Sequence, residues 1–282
     1  MKYSLMTTSM LFEMLGKLKN GLPMEEVKLE YLDMFRKTAE LEIPAVEVTS
    51  LELELFGLDF VKNALKENHL EPACLVHLDQ YATTDPEQSA QISAKAIQRV
   101  QDAISLGTKN MMLALMAQPD AEIYSYAQKQ NALISCMKPV ARFGAEHGIS
   151  VSVEDTPNVS VPLCDSKDTA FLLNAVSELH LTYDTGNMLL KGEDSLSFYR
   201  HFKNRVSHVH LKDMTYAECG DSTVDGRKMT AAPHGEGMIA FPNILKELRT
   251  DGYDGYLVIE YVGSGDHFTN IKKAKGYLDL YK

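Results

Sequence analysis

The chain has 282 residues, 45% hydrophobic and 24% charged, a composition that fits a globular protein able to bury a core of its own. A formal net charge of −11 sets its surface against phosphate backbones, which excludes nucleic acid as a general partner. No apolar run approaches the roughly 18 residues of a membrane helix, and "MKYSLMTTSM" at the start lacks the apolar stretch of a secretory leader.

The four cysteines, Cys74, Cys136, Cys164 and Cys219, are scattered and show no CxxC spacing. They read as reduced thiols of a cytoplasmic protein, without a disulfide framework or a zinc knuckle.

Short apolar runs alternate with longer amphipathic stretches along the chain. "YSLMTT" (3–8) is the first expected strand. "MEEVKLEYLDMFRKTAEL" (24–41) follows as a helix, with Val27, Tyr31, Met34, Phe35 and Thr38 at three- and four-residue steps. "AVEVT" (45–49) and "ACLVHL" (73–78) are the second and third strands. A helix over 86–107 has Asp85 as its N-cap, Pro86 at its first position and Gly107 as its C-cap. After a fourth strand, "NMMLAL" (110–115), a long helix over 121–148 carries a kink or restart at Pro139. "ISVSVE" (149–154), "LTYD" (181–184) and "VSHVHL" (206–211) are strands five to seven. Residues 212–240, with Gly220, Gly226, Gly235 and Gly237, read as an irregular loop whose length marks it as functional. A helix over 241–252, an eighth strand "YLVIE" (256–260) and a helix over 266–282 close the series.

Strands separated by helices of ten or more residues pair in parallel through right-handed crossovers. Eight such units predict an α/β fold, a (β/α)₈ TIM barrel forming a single domain over 1–282. An open doubly wound sheet is the architectural alternative. No GxGxxG or GxxxxGK[ST] follows any strand, so nothing points to a nucleotide.

Side chains alternate across a strand, and in a barrel one set points inward. On the fifth strand Val151 and Val153 form the apolar set, leaving Glu154 on the inner face. Asp184, His210 and Glu260 take the same place on the sixth, seventh and eighth. Three carboxylates and an imidazole at the C-terminal mouth would repel or strand one another. One divalent cation, Mn²⁺, Co²⁺, Mg²⁺ or Zn²⁺, resolves this, and the absence of thiolates argues against a closed structural zinc site. His208, one layer deeper, reads as packing or as support for a ligand.

"SVEDTPN", "YDTGN", "HVHLKD", "APHGEGMIAFPNILKEL" and "GYDGYLVIEY" resemble the xylose isomerase-like TIM-barrel superfamily, the sugar phosphate isomerase/epimerase group. The resemblance covers essentially the whole chain and is strongest over 149–262. It places the superfamily's metal set on Glu154, Asp184, His210 and Glu260, and implies that Glu154 and Glu260 are also its acid/base pair. It further implies a small keto-sugar, sugar phosphate or keto-cyclitol as substrate and a homodimer or homotetramer as assembly. Tagatose-type epimerases carry a histidine where this chain has Asn187 and an arginine where it has Tyr216. Lys212, Asn187, Glu47, His77 and Arg227 are candidate substrate contacts, Glu47 and His77 by inward parity and Arg227 as an anion binder with Lys228. The plainer readings are a salt bridge for Lys212, satisfied core polar groups for Glu47 and His77, and a solvated loop for Arg227.

Proton removal next to a ketone through an enediolate supports epimerisation or isomerisation, the leading expectation. Dehydration of an inosose-like keto-cyclitol by the same set is the first alternative. A catalytically silent sugar-binding barrel is the second.

Overall fold

A strand flanked by helices on one side and by the other strands on the other buries both faces, so its sequence runs apolar or small and β-branched throughout. In the computed structural model, which describes residues 1–116, 124–156, 162–261 and 266–281, eight such strands close into a parallel barrel. In chain order the strands are β1 (Lys2–Leu5), β2 (Ala45–Thr49), β3 (Glu71–Asp79), β4 (Asn110–Leu115), β5 (Ser150–Glu154), β6 (His180–Asp184), β7 (Val206–Leu211), β8 (Asp213–Ala217), β9 (Asp221–Ser222), β10 (Lys228–Ala232) and β11 (Tyr256–Ile259). The barrel order is β1-β11-β7-β6-β5-β4-β3-β2, and β8, β10 and β9 form a separate three-stranded sheet.

The helices are α1 (Thr8–Lys19), α2 (Met24–Glu40), α3 (Ser50–Phe56), α4 (Leu58–Glu67), α5 (Pro86–Leu106), α6 (Tyr126–Glu146), α7 (Ser166–Ala175), α8 (Ser195–Phe202), α9 (Phe241–Thr250) and α10 (His267–Leu278). The ends of α5 follow the expected chemistry. Asp85 accepts from the backbone N–H groups of Glu87 and Gln88, and Gly107 takes the left-handed conformation at φ +89°. Ser125 and Gln128 form a capping box at the start of α6, which runs on through Pro139. The expected start of that helix at 121–123 lies outside the described residues.

Two differences from the sequence reading have local causes. The first strand stops at Leu5 because Thr7 and Thr8 begin α1, whose buried Met10, Leu11 and Met14 mark a helical stripe. The stretch 212–240 is not irregular, since β8, β9 and β10 make an antiparallel sheet within it. The buried carboxylate of Asp213 gathers the return of that excursion. It accepts from the N–H groups of Met214 at 3.0 Å, Gly235 at 2.9 Å, Gly237 at 3.0 Å and Ile239 at 3.0 Å. A Cβ on Gly237 would lie 2.1 Å from Asp213 Oδ1, so the "HGEG" run is glycine-rich where the backbone wraps the acid. His234 Nε2 adds a 2.6 Å bond to the Leu211 carbonyl.

The main core lies between barrel wall and helices, with Leu75, Leu113, Val151, Val153, Tyr183, Leu211 and Ile259 fully or almost fully buried. Burying each such side chain is worth about 1.5–3 kcal/mol. The barrel interior is divided. Cys74, Val76 and Met112 form an apolar patch on the β3–β4 wall. Beside it, where Ser152 pairs in register with Met112, Ser152 and Thr182 share a 2.8 Å hydroxyl hydrogen bond below the polar mouth.

Glu52 is fully buried in the turn from β2 to α3, where it completes a capping box with Thr49 and accepts from Thr7 Oγ1 at 3.2 Å. Burial pushes its carboxyl up to about 8, against the offsetting hydrogen bond from the Thr49 backbone. Between pH 4.5 and 8 the folded state therefore holds a proton that the unfolded state releases, and stability falls as pH rises. Glu52→Gln keeps an acceptor for Thr49 and cannot ionise. Urea denaturation from pH 5 to pH 8 should show the parent losing up to about 1.4 kcal/mol per pH unit from this group, and the variant losing measurably less.

Candidate metal centre and active site

The C-terminal ends of the last four barrel strands carry the site. Glu154 ends β5 and Asp184 ends β6. His210 lies one residue before the end of β7 and Glu260 directly follows β11. The sheet register sets their levels: Asp184 pairs with His210, Glu154 with Thr182, and Glu260 N–H extends the ladder to the Leu211 carbonyl at 3.0 Å. Barrel stagger brings the four side chains together although two of them sit on different rungs.

One atom from each residue lies within 4.8 Å of every other. His210 Nδ1 is 2.6 Å from Glu154 Oε1 and 2.9 Å from Glu260 Oε2. Glu154 Oε1, Asp184 Oδ2, His210 Nδ1 and Glu260 Oε2 are all buried and all lack a hydrogen-bond partner. Donor atoms bound 2.0–2.4 Å from one cation stand no more than ~4–4.8 Å apart. Three carboxylate oxygens and a ring nitrogen without hydrogen-bond partners at that spacing fit a divalent ion, since a buried polar group otherwise needs a partner.

Three other atoms of the set, Asp184 Oδ1, His210 Nε2 and Glu260 Oε1, are occupied. Asp184 Oδ1 accepts from the N–H groups of Gly186 and Asn187, both at 2.7 Å. Lys212 Nζ contacts Glu260 Oε1 at 2.5 Å, Asp184 Oδ2 at 3.8 Å and Asn187 Oδ1 at 3.0 Å. Asn187 Nδ2 donates to the Asp155 carbonyl at 2.8 Å. Three carboxylates face the single ammonium of Lys212, so acidic groups outnumber the lysine that serves them.

The electrostatics carry the same imbalance. Burial raises the Asp184 carboxyl, and Glu260 and Glu154 add to the rise although Lys212 opposes it. Burial would lower His210, but the carboxylates of Glu47 and Glu154 outweigh it and raise the imidazole. For Glu260 burial acts upward, yet Lys212 and His210 hold the carboxyl below its usual range. Lys212 is raised, because Asp184 and Glu260 overcome its desolvation.

Asp155, next to Glu154, was not singled out from the sequence. Both its carboxylate oxygens are buried without a partner, and burial followed by Asp184 and Glu154 raises it well above the carboxylate range. The acid pair in "VEDTPN" was the available signal.

Two of the five substrate-contact expectations are corrected, and a third residue is already paired. His77 is not on the inner face. It pairs in register with Leu113 of the outer core, and its Nδ1 is 2.8 Å from Ser50 Oγ at the start of α3. Burial, with Lys95 and Arg99 adding, drives it down to about 3, a neutral ring between wall and helix. The parity reading failed because Cys74, Val76 and Leu78 are the inward residues of β3, a small apolar set that sequence does not separate from the outward one. Glu47 does point inward but is fully buried, with Oε1 2.8 Å from His208 Nε2 and 3.0 Å from His210 Nε2, so it meets imidazoles and not solvent. Arg227 is paired with Asp225 at 2.6 Å and stacks 3.9 Å above the Tyr216 ring on the β8–β10 sheet. Asn187 and Lys212 stand beside the four donors.

The family model for the xylose isomerase-like TIM barrel matches residues 35–280. The chain belongs to that family. An inosose dehydratase from Lacticaseibacillus casei is 29% identical over 122 residues, 40% of this chain and 41% of that protein. The chain thus spans less than half the length of this curated relative. A crystal structure of the IOLI protein with a binding zinc atom superimposes with a TM-score of 0.74 at 14% identity, covering 100% of this chain and 99% of that one. A D-tagatose 3-epimerase-like protein gives a TM-score of 0.73 at 18% identity, covering 100% and 97%. At these identities the two likenesses show the fold. No helix among the described residues is long and apolar enough to cross a membrane.

Removing one carboxylate separates repulsion from cation binding. In Asp184→Asn the amide retains an acceptor for Gly186 and Asn187 and relieves the charge crowding. Without metal the variant should be at least as stable as the parent in urea. With Mn²⁺ at 100 times the parent's Kd, the parent should gain about 2.7 kcal/mol and the variant far less.

Proposed function

We propose that this protein is a divalent-metal-dependent isomerase or epimerase that removes a proton next to the ketone of a small polyhydroxylated substrate. The observation that carries this reading is the convergence of Glu154 Oε1, Asp184 Oδ2, His210 Nδ1 and Glu260 Oε2, four buried atoms without hydrogen-bond partners at the mouth of the barrel. When bound there, a cation supplies Lewis-acid polarisation of a carbonyl.

The chain's own residues divide the rest of the work. Glu154, with its side chain 18% exposed against 6% or less for the other three, is the donor open to a substrate and takes the proton. Glu260 returns a proton from its own side of the site. Lys212, steadied by Asn187, stabilises negative charge that develops on the substrate oxygens. The fold-level likeness to a D-tagatose 3-epimerase-like protein supports this reading by analogy.

A second reading, dehydration of a keto-cyclitol, is supported by the inosose dehydratase relative and by one contact. Lys212 occupies Glu260 Oε1 and weakens that glutamate as a base, which leaves Glu154 as the freer base of the pair. Proton removal at one carbon followed by loss of a β-hydroxyl needs one base, whereas inversion of a centre uses two.

Proton NMR in D₂O with Mn²⁺ and a panel of ketoses, ketose phosphates and inososes tests both readings. Deuterium entering an α-position with formation of an isomer supports the first, and loss of water from an inosose supports the second. Neither change with any compound contradicts both. Glu154→Gln should slow whichever reaction is seen by roughly 10²–10⁴-fold with the fold intact. EDTA should abolish it, and Mn²⁺ or Co²⁺ should restore it; turnover indifferent to chelation would contradict the metal reading.

A further inference from the structure

Beneath the mouth, Glu47, His208 and His210 form a second group whose ligand-type atoms lie within 4.8 Å of one another, all of them buried. It shares His210 with the upper group, through the opposite ring nitrogen. Its contacts have hydrogen-bond lengths: Glu47 Oε1 accepts from His208 Nε2 at 2.8 Å and from His210 Nε2 at 3.0 Å. A second cation here would require His210 to surrender both nitrogens as an imidazolate, and it would have to enter a fully buried chamber.

A single carboxylate oxygen that accepts from both imidazoles keeps a proton on Nε2 of each ring. His210 Nδ1, on the opposite side of the ring, faces Glu154 Oε1 and Glu260 Oε2 and gives up its own proton when a cation takes its lone pair. His208 has no hydrogen-bond partner for Nδ1, so its bond to Glu47 is the polar contact that holds its ring, and that bond in turn steadies the carboxylate. Elements far apart in sequence meet here, since Glu47 comes from β2 and both histidines from β7.

We propose that Glu47, anchored by His208, is a positioning residue that holds His210 Nδ1 aimed at the cation and raises its donor strength. This rests on the reading of His210 as a metal ligand. A carboxylate on the far nitrogen of a ligating imidazole orients the ring, and losing such a partner typically costs 10–100-fold in metal affinity.

Mn²⁺ affinity by competition with a fluorescent chelator, measured on the parent, Glu47→Gln and His208→Gln, tests it, with far-UV circular dichroism and metal-free thermal midpoints as fold controls. The parent should bind one Mn²⁺. Glu47→Gln, the same shape without the charge, should bind 10–100-fold more weakly with its metal-free midpoint within a few degrees of the parent's. His208→Gln keeps a donor to Glu47 and should stay within about threefold; it also reports on the arrangement if Glu47→Gln does not fold. Long-range ¹H–¹⁵N NMR of the Zn²⁺-loaded parent should show the His210 proton on Nε2. A loss in His208→Gln would show that the anchor needs the imidazole itself, while unchanged affinity in a folded Glu47→Gln or a proton on Nδ1 would overturn the positioning role alone. Two Mn²⁺ in the parent would also overturn it, in favour of a second cation site. A parent that binds no Mn²⁺ would overturn the metal reading and this inference with it.

Discussion

Crowding of like charge at one end of a closed barrel is the constraint on which the site depends. Glu154, Asp184 and Glu260 arrive from three different strands around one imidazole, in a place where water screens them far less than at the surface. Lys212 neutralises part of this charge and is held there by Asn187. What is left is crowded carboxylate charge of the kind a cation would relieve, carried by the fold as repulsion. The surrounding core supplies the means, because the outward faces of the same strands are almost entirely aliphatic or aromatic and well buried.

The architecture keeps that stored repulsion from relaxing. Ladder hydrogen bonds fix each strand end, and the short turn after β6 ties Asp184 Oδ1 to two backbone N–H groups, so only Oδ2 is free to turn to the centre. Below, Glu47 fixes the imidazole from beneath. Behind the site, the Asp213 carboxylate folds the excursion between β7 and α9 onto the barrel by gathering four N–H groups. Two buried acids near the ends of neighbouring barrel strands thus do opposite jobs. Asp184 is left partly unsatisfied for a ligand, whereas Asp213 is saturated by backbone and serves structure.

Much of this was legible in the sequence because two periodicities carry it. Alternation on "ISVSVE" and on "VSHVHL" gives the inner face wherever the outer face is plainly apolar, and the four donors follow. The same rule misplaced His77, because on β3 the inward residues Cys74 and Val76 are as apolar as the outward Leu75. Glu47 had the right parity, but its partners are two histidines more than 160 residues away, a contact that local pattern does not encode. The antiparallel sheet in 212–240 was hidden by its glycines, which read as loop but serve tight turns and the wrap around Asp213. Helices α1, α3, α4, α7 and α8 went unread because each runs for only two or three turns, over which an apolar period repeats too few times to stand out beside the strands.

The most direct test of the account is diffraction from crystals grown with Mn²⁺, recorded on both sides of the manganese absorption edge. One anomalous peak about 2.0–2.4 Å from Glu154, Asp184, His210 Nδ1 and Glu260 is the expected result. No peak at the mouth, or a peak between Glu47 and His208 instead, would contradict it.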